Sequence, residues 1–240
     1  MQRSMINIMS IADIISISNA LLGFFSIVVL LSEFIGSIEL RLQIAFTLIL
    51  IALIADGLDG IVARRTRQSE IGEYLDSMAD MTSLVVAPAF FMYFIYSLIV
   101  EFNTIRLMYL LFALVLYVGF GFLRLASFHI MKKEKYFIGL PVPAATIVLI
   151  VLSYLEVPFI VILPAIVIIA ALMVSNINFP KLGMKFDSVA AILILFALTF
   201  GKNFDGIAIW TLFFSILIYI FLGPVYHKLK ESEKNEFFIK

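Results

Sequence analysis

The sequence predicts an all-α membrane protein, a polytopic bundle of about eight transmembrane helices. Of its 240 residues, 63% are hydrophobic and 14% are charged, and the mean hydropathy is +1.11. A soluble domain of this composition could not cover its surface with polar groups. The hydrophobic residues also fall into charge-poor segments of about 20 residues, the length that a spanning helix needs.

The predicted helices follow one another along the whole chain. They lie near residues 12–32, 42–63, 72–100, 104–127, 142–156, 157–176, 186–201 and 206–224. The first stretch is too long for a secretory signal, so we interpret it as a helix. The segments at 142–156 and 186–201 are short, which leaves tilted, re-entrant or paired elements and a six-span bundle as alternatives. We expect one integral membrane domain over residues 1–240, with additional C-terminal helices at about 186–226 and a charged helical tail.

The positions of Lys and Arg predict the sidedness of the bundle. Arg124 falls inside a helix, and the remaining basic residues divide thirteen to three. The larger set comprises Arg3, Arg64, Arg65, Arg67, Lys132, Lys133, Lys135, Lys181, Lys185, Lys228, Lys230, Lys234 and Lys240, and the smaller set comprises Arg41, Arg106 and Lys202. The positive-inside rule then places both termini in the cytoplasm, for a multi-pass protein of the cell membrane.

Composition also limits the chemistry. Seventeen basic and 17 acidic residues give no net charge, which argues against a nucleic-acid partner. Without cysteine the chain can form no disulfide, iron–sulfur cluster or thiolate zinc site, and its two histidines are lone. Any metal would therefore be bound by carboxylates, which favour Mg²⁺, Mn²⁺ or Ca²⁺.

Four of the seven aspartates fall within the second and third predicted helices. Asp56 and Asp59 are three residues apart and Asp76 and Asp80 are four apart, so each pair shares one helix face. A short charged turn joins the two helices, so they are antiparallel neighbours and the four carboxylates lie at matching depths. Carboxylates in a bilayer are costly and mark functional sites. Two divalent cations would neutralise these four, at the cytoplasmic end of the hairpin.

Small and basic residues surround the predicted acidic site. Gly60 and Gly72 allow a diphosphate or the partner helix to approach the backbone, and Ala63 keeps the same face open. Arg64 adds a cationic fork suited to phosphate oxygens, although positive-inside anchoring is an alternative for the arginines of this turn.

Residues 56–80, DGLDGIVARRTRQSEIGEYLDSMAD, fit the pattern D-x2-D-G-x2-A-R-x7-G-x3-D-x3-D. This pattern resembles the signature of the CDP-alcohol phosphatidyltransferases. The resemblance implies a six-helix core, a homodimer, and transfer of a phosphatidyl group from a CDP-linked lipid to an alcohol with release of CMP. It also implies that Asp56, Asp59 and Asp76 bind two divalent cations, Mg²⁺ or Mn²⁺ with Ca²⁺ as a further binder, and that Asp80 both binds metal and acts as the general base.

A narrower resemblance, to the phosphatidylserine synthases, implies L-serine as the acceptor. It rests on GEYLDSMADMTSLVVAP at residues 72–88 and FIGLPVPAA at residues 137–145, while Ser127 and His129 depart from the usual Arg and Asn. The candidate contacts of the CDP and diphosphate are Asn19, Gly60, Ala63, Arg64, Gly72 and Ser77. The candidates for the acceptor carboxylate are Arg124, Lys132, Lys133 and Lys135.

Several alternatives stay open at this point. Asn19 could only hydrogen-bond a neighbouring helix, Arg124 could only snorkel to the interface, and the lysines could serve as topological anchors and anionic-lipid contacts. Glycerol 3-phosphate or inositol phosphate could replace serine as acceptor. A membrane prenyltransferase would carry its acidic motifs on separate helix pairs, and a divalent-cation transporter would place acids near the midplane on broken helices.

Overall fold

Eight helices form the described part of the chain, in a computed structural model that describes residues 9–65, 69–99, 103–131, 136–181, 184–201, 203 and 206–239. The helices are α1 (Ile11–Leu31), α2 (Ile38–Arg65), α3 (residues 72–99), α4 (Thr104–Met131), α5 (Val142–Tyr154), α6 (Phe159–Met173), α7 (Met184–Phe200) and α8 (Ile207–Ile239). Helix α3 consists of an α-helical part, Gly72–Asp80, a π turn, Met81–Val86, and a second α-helical part, Ala87–Ile99. A single turn of 3₁₀ helix, Glu33–Ile35, lies between α1 and α2.

The helices confirm the predicted all-α membrane bundle. Five of them contain segments long and apolar enough to cross a bilayer: Ile11–Leu31, Ile38–Ala63, Gly72–Leu98, Thr104–Phe128 and Ile207–Leu229. The other three are apolar but shorter, with 13, 15 and 17 residues. At 1.5 Å per residue they reach about 20 to 26 Å, less than the roughly 30 Å of hydrocarbon. The segments predicted to be short, at residues 142–156 and 186–201, are short helices, and α6 is also short.

Helix α2 begins at Ile38, four residues before the predicted start, and includes Arg41. The expectation that Arg41 lies in a loop is therefore wrong. Its side chain is 9% exposed, donates from Nη1 to the Leu30 carbonyl at 3.0 Å, and lies 5.8 Å from the Phe94 ring centroid. Arg41 supplies a hydrogen-bond donor to a carbonyl at the end of α1. Its charged group is therefore accommodated within the first turns of α2.

The π turn of α3 is held by two other helices. Its Leu84 carbonyl accepts hydrogen bonds from the hydroxyls of Tyr117 on α4, at 3.3 Å, and Thr146 on α5. A Cβ on Gly121 would lie 2.7 Å from Val85 Cγ1, so α4 crosses α3 closely at this level. The π turn therefore lies in a fixed environment directly after Asp80.

Two short strands, which the all-helical prediction did not include, close one end of the bundle. Tyr136–Ile138 (β1) pairs antiparallel with Asn178–Pro180 (β2), and Phe137 faces Phe179 in the register. Gly139 follows β1 with φ +80°, and a Cβ there would lie 2.3 Å from the Met173 carbonyl oxygen. The chain can therefore make this turn only with glycine. The strands and turn bring the end of α6 against the start of α5.

Candidate active site

The four predicted aspartates come together at the end of the bundle where α2 is followed by α3. Asp56, Asp76 and Asp80 each offer one carboxylate oxygen, and these atoms all lie within 4.8 Å of one another. The carboxyl groups of Asp56 and Asp80 lie within hydrogen-bonding reach of each other, as do those of Asp59 and Asp76. This is the pairing expected for two antiparallel helices with these spacings.

Helix α1 forms the third wall of the site through a buried polar face. Ser16 donates from Oγ to Asp59 Oδ2 at 2.7 Å, and Asn19 donates from Nδ2 to Asp80 Oδ1 at 3.2 Å. Ser16 and Asn19 are 3% and 0% exposed. Each carboxylate pair of the α2–α3 hairpin thus has one member bound by a side chain of α1. Asn19 was predicted from the sequence, whereas Ser16 was not.

Close packing brings this face of α1 against α3. A Cβ on Gly23 would lie 2.4 Å from Ser83 Cα, so the two backbones are in direct contact one turn beyond Asn19. Near the other end of α1, a Cβ on Gly72 would lie 3.1 Å from Asp13 Oδ1. Asp13 is buried and forms the capping box of α1 with Ser10. Its Oδ2 accepts a hydrogen bond from the backbone N–H of Ser10 at 2.7 Å. The small residues therefore fix how near α1 approaches the aspartates.

The donor set suits divalent cations of the hard type. Carboxylate and amide oxygens are the ligands of Mg²⁺, Mn²⁺ and Ca²⁺. Opposite ligands of one Mg²⁺ are separated by about 4.1 Å, and those of one Ca²⁺ by about 4.8 Å. Because the three carboxylate oxygens lie within 4.8 Å of one another, they can share a cation with only small movements.

The residues expected to contact a diphosphate differ in the space around them and in their own contacts. Gly60 leaves open space, since a Cβ there would meet no atom within 4 Å, whereas Gly72 is restricted by Asp13. Ala63 is half-buried on the last turns of α2. Ser77 donates to the Glu73 carbonyl of its own helix at 3.1 Å. The side chain of Arg64 lies outside the described residues, so only its place in α2 is fixed.

Arg124 is the candidate for the acceptor carboxylate whose side chain the structure describes. It is 7% exposed, donates from Nε to the Leu140 carbonyl at 3.3 Å, and lies 5.9 Å from the Phe128 ring centroid. These contacts bury the guanidinium instead of extending it to an interface. Lys132, Lys133 and Lys135 lie outside the described residues.

The sequence that forms this site matches a known family. Residues 9–177 fit the sequence profile of the CDP-alcohol phosphatidyltransferases. The chain belongs to this family. Among its curated relatives, the CDP-diacylglycerol–serine O-phosphatidyltransferase of Methanocaldococcus jannaschii is 34% identical over 177 residues, covering 73% of this chain and 79% of that protein.

Two further relatives of this phosphatidyltransferase come from other organisms. A CDP-diacylglycerol–serine O-phosphatidyltransferase of Helicobacter pylori is 34% identical over 193 residues, covering 73% of this chain and 79% of its own. The archaetidylserine synthase of Methanothermobacter thermautotrophicus is 34% identical over 182 residues, covering 72% of this chain and 70% of that protein. Membership of the family removes the prenyltransferase and transporter alternatives, because the four aspartates lie inside the matched region.

Proposed function

We propose that this phosphatidyltransferase transfers the phosphatidyl group of a CDP-linked lipid, with ester or ether chains, to the hydroxyl of L-serine. The convergence of four carboxylates at one end of the α2–α3 hairpin is the observation that carries the proposal. Family membership supports the reaction class. Three relatives support serine as the acceptor, since two are named CDP-diacylglycerol–serine O-phosphatidyltransferase and one is named archaetidylserine synthase.

The reaction is a direct displacement at the lipid phosphorus. The serine hydroxyl oxygen forms a bond to this phosphorus, the bond to the bridging oxygen of the diphosphate breaks, and CMP leaves with that oxygen. The hydroxyl proton passes to the carboxylate of Asp80, as a general base that need act only while the new bond forms. The chain has no cysteine, and a single displacement needs no protein nucleophile.

The carboxylates of Asp56, Asp59, Asp76 and Asp80 hold two divalent cations in this proposal. When bound there, Mg²⁺ or Mn²⁺ would supply the positive charge that offsets the diphosphate and the oxygen departing with CMP. The side chains of α1 keep two of the carboxylates in place, since Ser16 binds Asp59 and Asn19 binds Asp80. Gly60 supplies the open backbone surface beside the cluster. Ala63, Arg64, Gly72 and Ser77 are the further residues that we propose as contacts of the diphosphate.

Arg124 is the proposed partner of the serine carboxylate, together with Lys132, Lys133 and Lys135. Helix α4 crosses α3 at Gly121 and Val85. Arg124 lies three residues beyond this crossing and Asp80 lies five residues before it along the antiparallel helix. At 1.5 Å per residue the two differ in depth by about 3 Å. A serine whose hydroxyl approaches Asp80 would thus find the guanidinium at its own level.

The site is proposed to open to the cytoplasm of the cell, where serine and CDP-linked lipid meet at the membrane surface. The thirteen-to-three division of basic residues supports this sidedness. Assembly into a homodimer is proposed from the family resemblance. Cysteines introduced one at a time into this cysteine-free chain report the sidedness, and modification of a cysteine at position 67 from outside intact cells would contradict it.

The decisive experiment measures CMP release by the purified protein. CDP-diacylglycerol and its ether-linked equivalent are each supplied with L-serine, glycerol 3-phosphate or inositol 1-phosphate. We expect CMP release with serine in the presence of Mg²⁺ or Mn²⁺, loss of activity with a chelator, and loss in Asp56→Asn. Transfer to glycerol 3-phosphate but not to serine would refute the acceptor, and full activity with the chelator would refute the role of the cations.

A further inference from the structure

The side-chain amide of Asn19 forms a hydrogen bond through its NH₂ group but none through its oxygen. Its Nδ2 donates to Asp80 Oδ1 at 3.2 Å. Its Oδ1 is buried and has no hydrogen-bond partner among the described residues, although the whole side chain is 0% exposed. A buried acceptor without a donor is unfavourable and rare in folded proteins.

The neighbouring carboxylate determines which way this amide faces. A carboxylate oxygen accepts hydrogen bonds, so the NH₂ group of Asn19 must face Asp80. Rotating the amide by half a turn would place two acceptor oxygens against each other. The unpartnered Oδ1 is therefore a consequence of the bond to Asp80.

The neighbouring polar groups of the site are themselves acceptors, so they supply no donor to this oxygen. The aspartates opposite α1 present carboxylate oxygens, and three of these lie within 4.8 Å of one another. The nearby hydroxyl of Ser16 donates to Asp59. What such a group of oxygens can bind in common is a cation.

We propose that Oδ1 of Asn19 is a further ligand of the divalent cations, so that one amide both positions Asp80 and binds metal. The inference rests on the proposed function for the presence of cations. Asparagine oxygens are ordinary ligands of hard divalent ions. Four carboxylates already balance two divalent cations, and an uncharged oxygen adds a ligand without adding charge inside the membrane, where excess charge is costly.

Coordination numbers favour the same assignment. Each carboxylate offers two oxygens, and four carboxylates together supply fewer ligands than two octahedral shells require. Asn19 then reaches the diphosphate of the nucleotide through a shared cation. This role differs from a direct hydrogen bond to the phosphate, which would use the second hydrogen of the NH₂ group and leave Oδ1 without a partner.

Electron–nuclear double resonance on bound Mn²⁺ tests the assignment without any reaction. The full-length protein is labelled with [¹³Cγ]asparagine and loaded with Mn²⁺ alone. An amide oxygen bound at about 2.1 Å places its carbon about 3 Å from the metal, and the dipolar coupling falls with the cube of that distance. We expect a strong ¹³C coupling in the wild type. Its absence, with Mn²⁺ bound, would overturn the proposal and leave Asn19 as a positioning residue for Asp80.

Two variants assign the signal. Asn19→Asp keeps an oxygen in place but carries no label, so it should bind Mn²⁺ and lose the coupling. Persistence of the coupling in Asn19→Asp would also overturn the proposal, because the labelled carbon would belong to another asparagine. Asn19→Leu retains the volume without the oxygen and should weaken Mn²⁺ binding about tenfold or more.

Ser26→Ala is the matched control, because Ser26 is equally buried on α1 and donates only to the Gly23 carbonyl, at 2.7 Å. It should bind Mn²⁺ as the wild type does, and an equal loss in Ser26→Ala and Asn19→Leu would show a general effect on α1 and overturn the proposal. CMP release with serine on the same preparation keeps the two proposals separate. Activity with serine but no ¹³C coupling would leave the proposed function standing and refute the ligand role of Asn19.

Discussion

The hydrogen bond from Ser16 to Asp59 is the contact through which α1 should control the metal requirement of the enzyme. It joins Oγ and Oδ2 at 2.7 Å, and Ser16 is 3% exposed. Hydrogen bonds to charged groups contribute about 1.5–3 kcal/mol. At 1.36 kcal/mol per factor of ten, their loss corresponds to a change of about 10- to 150-fold. Partners of metal ligands are commonly worth 10- to 100-fold in affinity.

We therefore expect Ser16→Ala to raise the half-saturating Mg²⁺ concentration by about 10- to 100-fold. Turnover at saturating Mg²⁺ should change little, because Asp59 is still present. The measurement is CMP release as a function of Mg²⁺, together with Mn²⁺ binding by paramagnetic resonance of the free ion. Ser16→Thr keeps a hydroxyl and should restore most of the affinity.

Ser18→Ala provides a matched control on the same helix. Ser18 is exposed and donates to the Ile14 carbonyl at 2.8 Å, so its loss should leave the Mg²⁺ dependence unchanged. Identical Mg²⁺ curves for Ser16→Ala and Ser18→Ala would refute the argument that α1 holds Asp59 for metal binding.

Three further predictions concern other parts of the site. Asp80→Asn should retain CDP-lipid binding and lose turnover by about 100-fold or more, whereas Asp59→Asn should weaken metal and nucleotide binding together; near-normal turnover in Asp80→Asn would exclude this base. Gly23→Ala places a Cβ 2.4 Å from Ser83 Cα. A thermal unfolding scan should therefore show that the free energy of unfolding falls by about 1–3 kcal/mol. Arg124→Lys keeps the charge but loses the planar fork, so initial-rate kinetics should show a higher KM for serine with an unchanged KM for the CDP-lipid.

The acidic cluster could be predicted from the sequence because carboxylates stand out in membrane helices. Asp56 and Asp59 share one face of α2, Asp76 and Asp80 share one face of α3, and the short connection makes the helices antiparallel. These facts fix the pairing without any tertiary information. The π turn after Asp80 could not be predicted, since it depends on hydrogen bonds from Tyr117 and Thr146, which are distant in sequence.

The role of α1 shows where reasoning from the sequence stops. The hydroxyls of Ser16, Ser18 and Ser26 each lie within hydrogen-bonding distance of a carbonyl of their own helix, at 3.3, 2.8 and 2.7 Å, as is usual for serines in membrane helices. Only Ser16 also binds a carboxylate, because it shares a face with Asn19, three residues away. A buried polar face with this spacing was the available signal, but its meaning depends on what lies opposite. Since Gly23 brings α1 into backbone contact with α3, the same polar face that would be a liability against lipid becomes a wall of the acidic site.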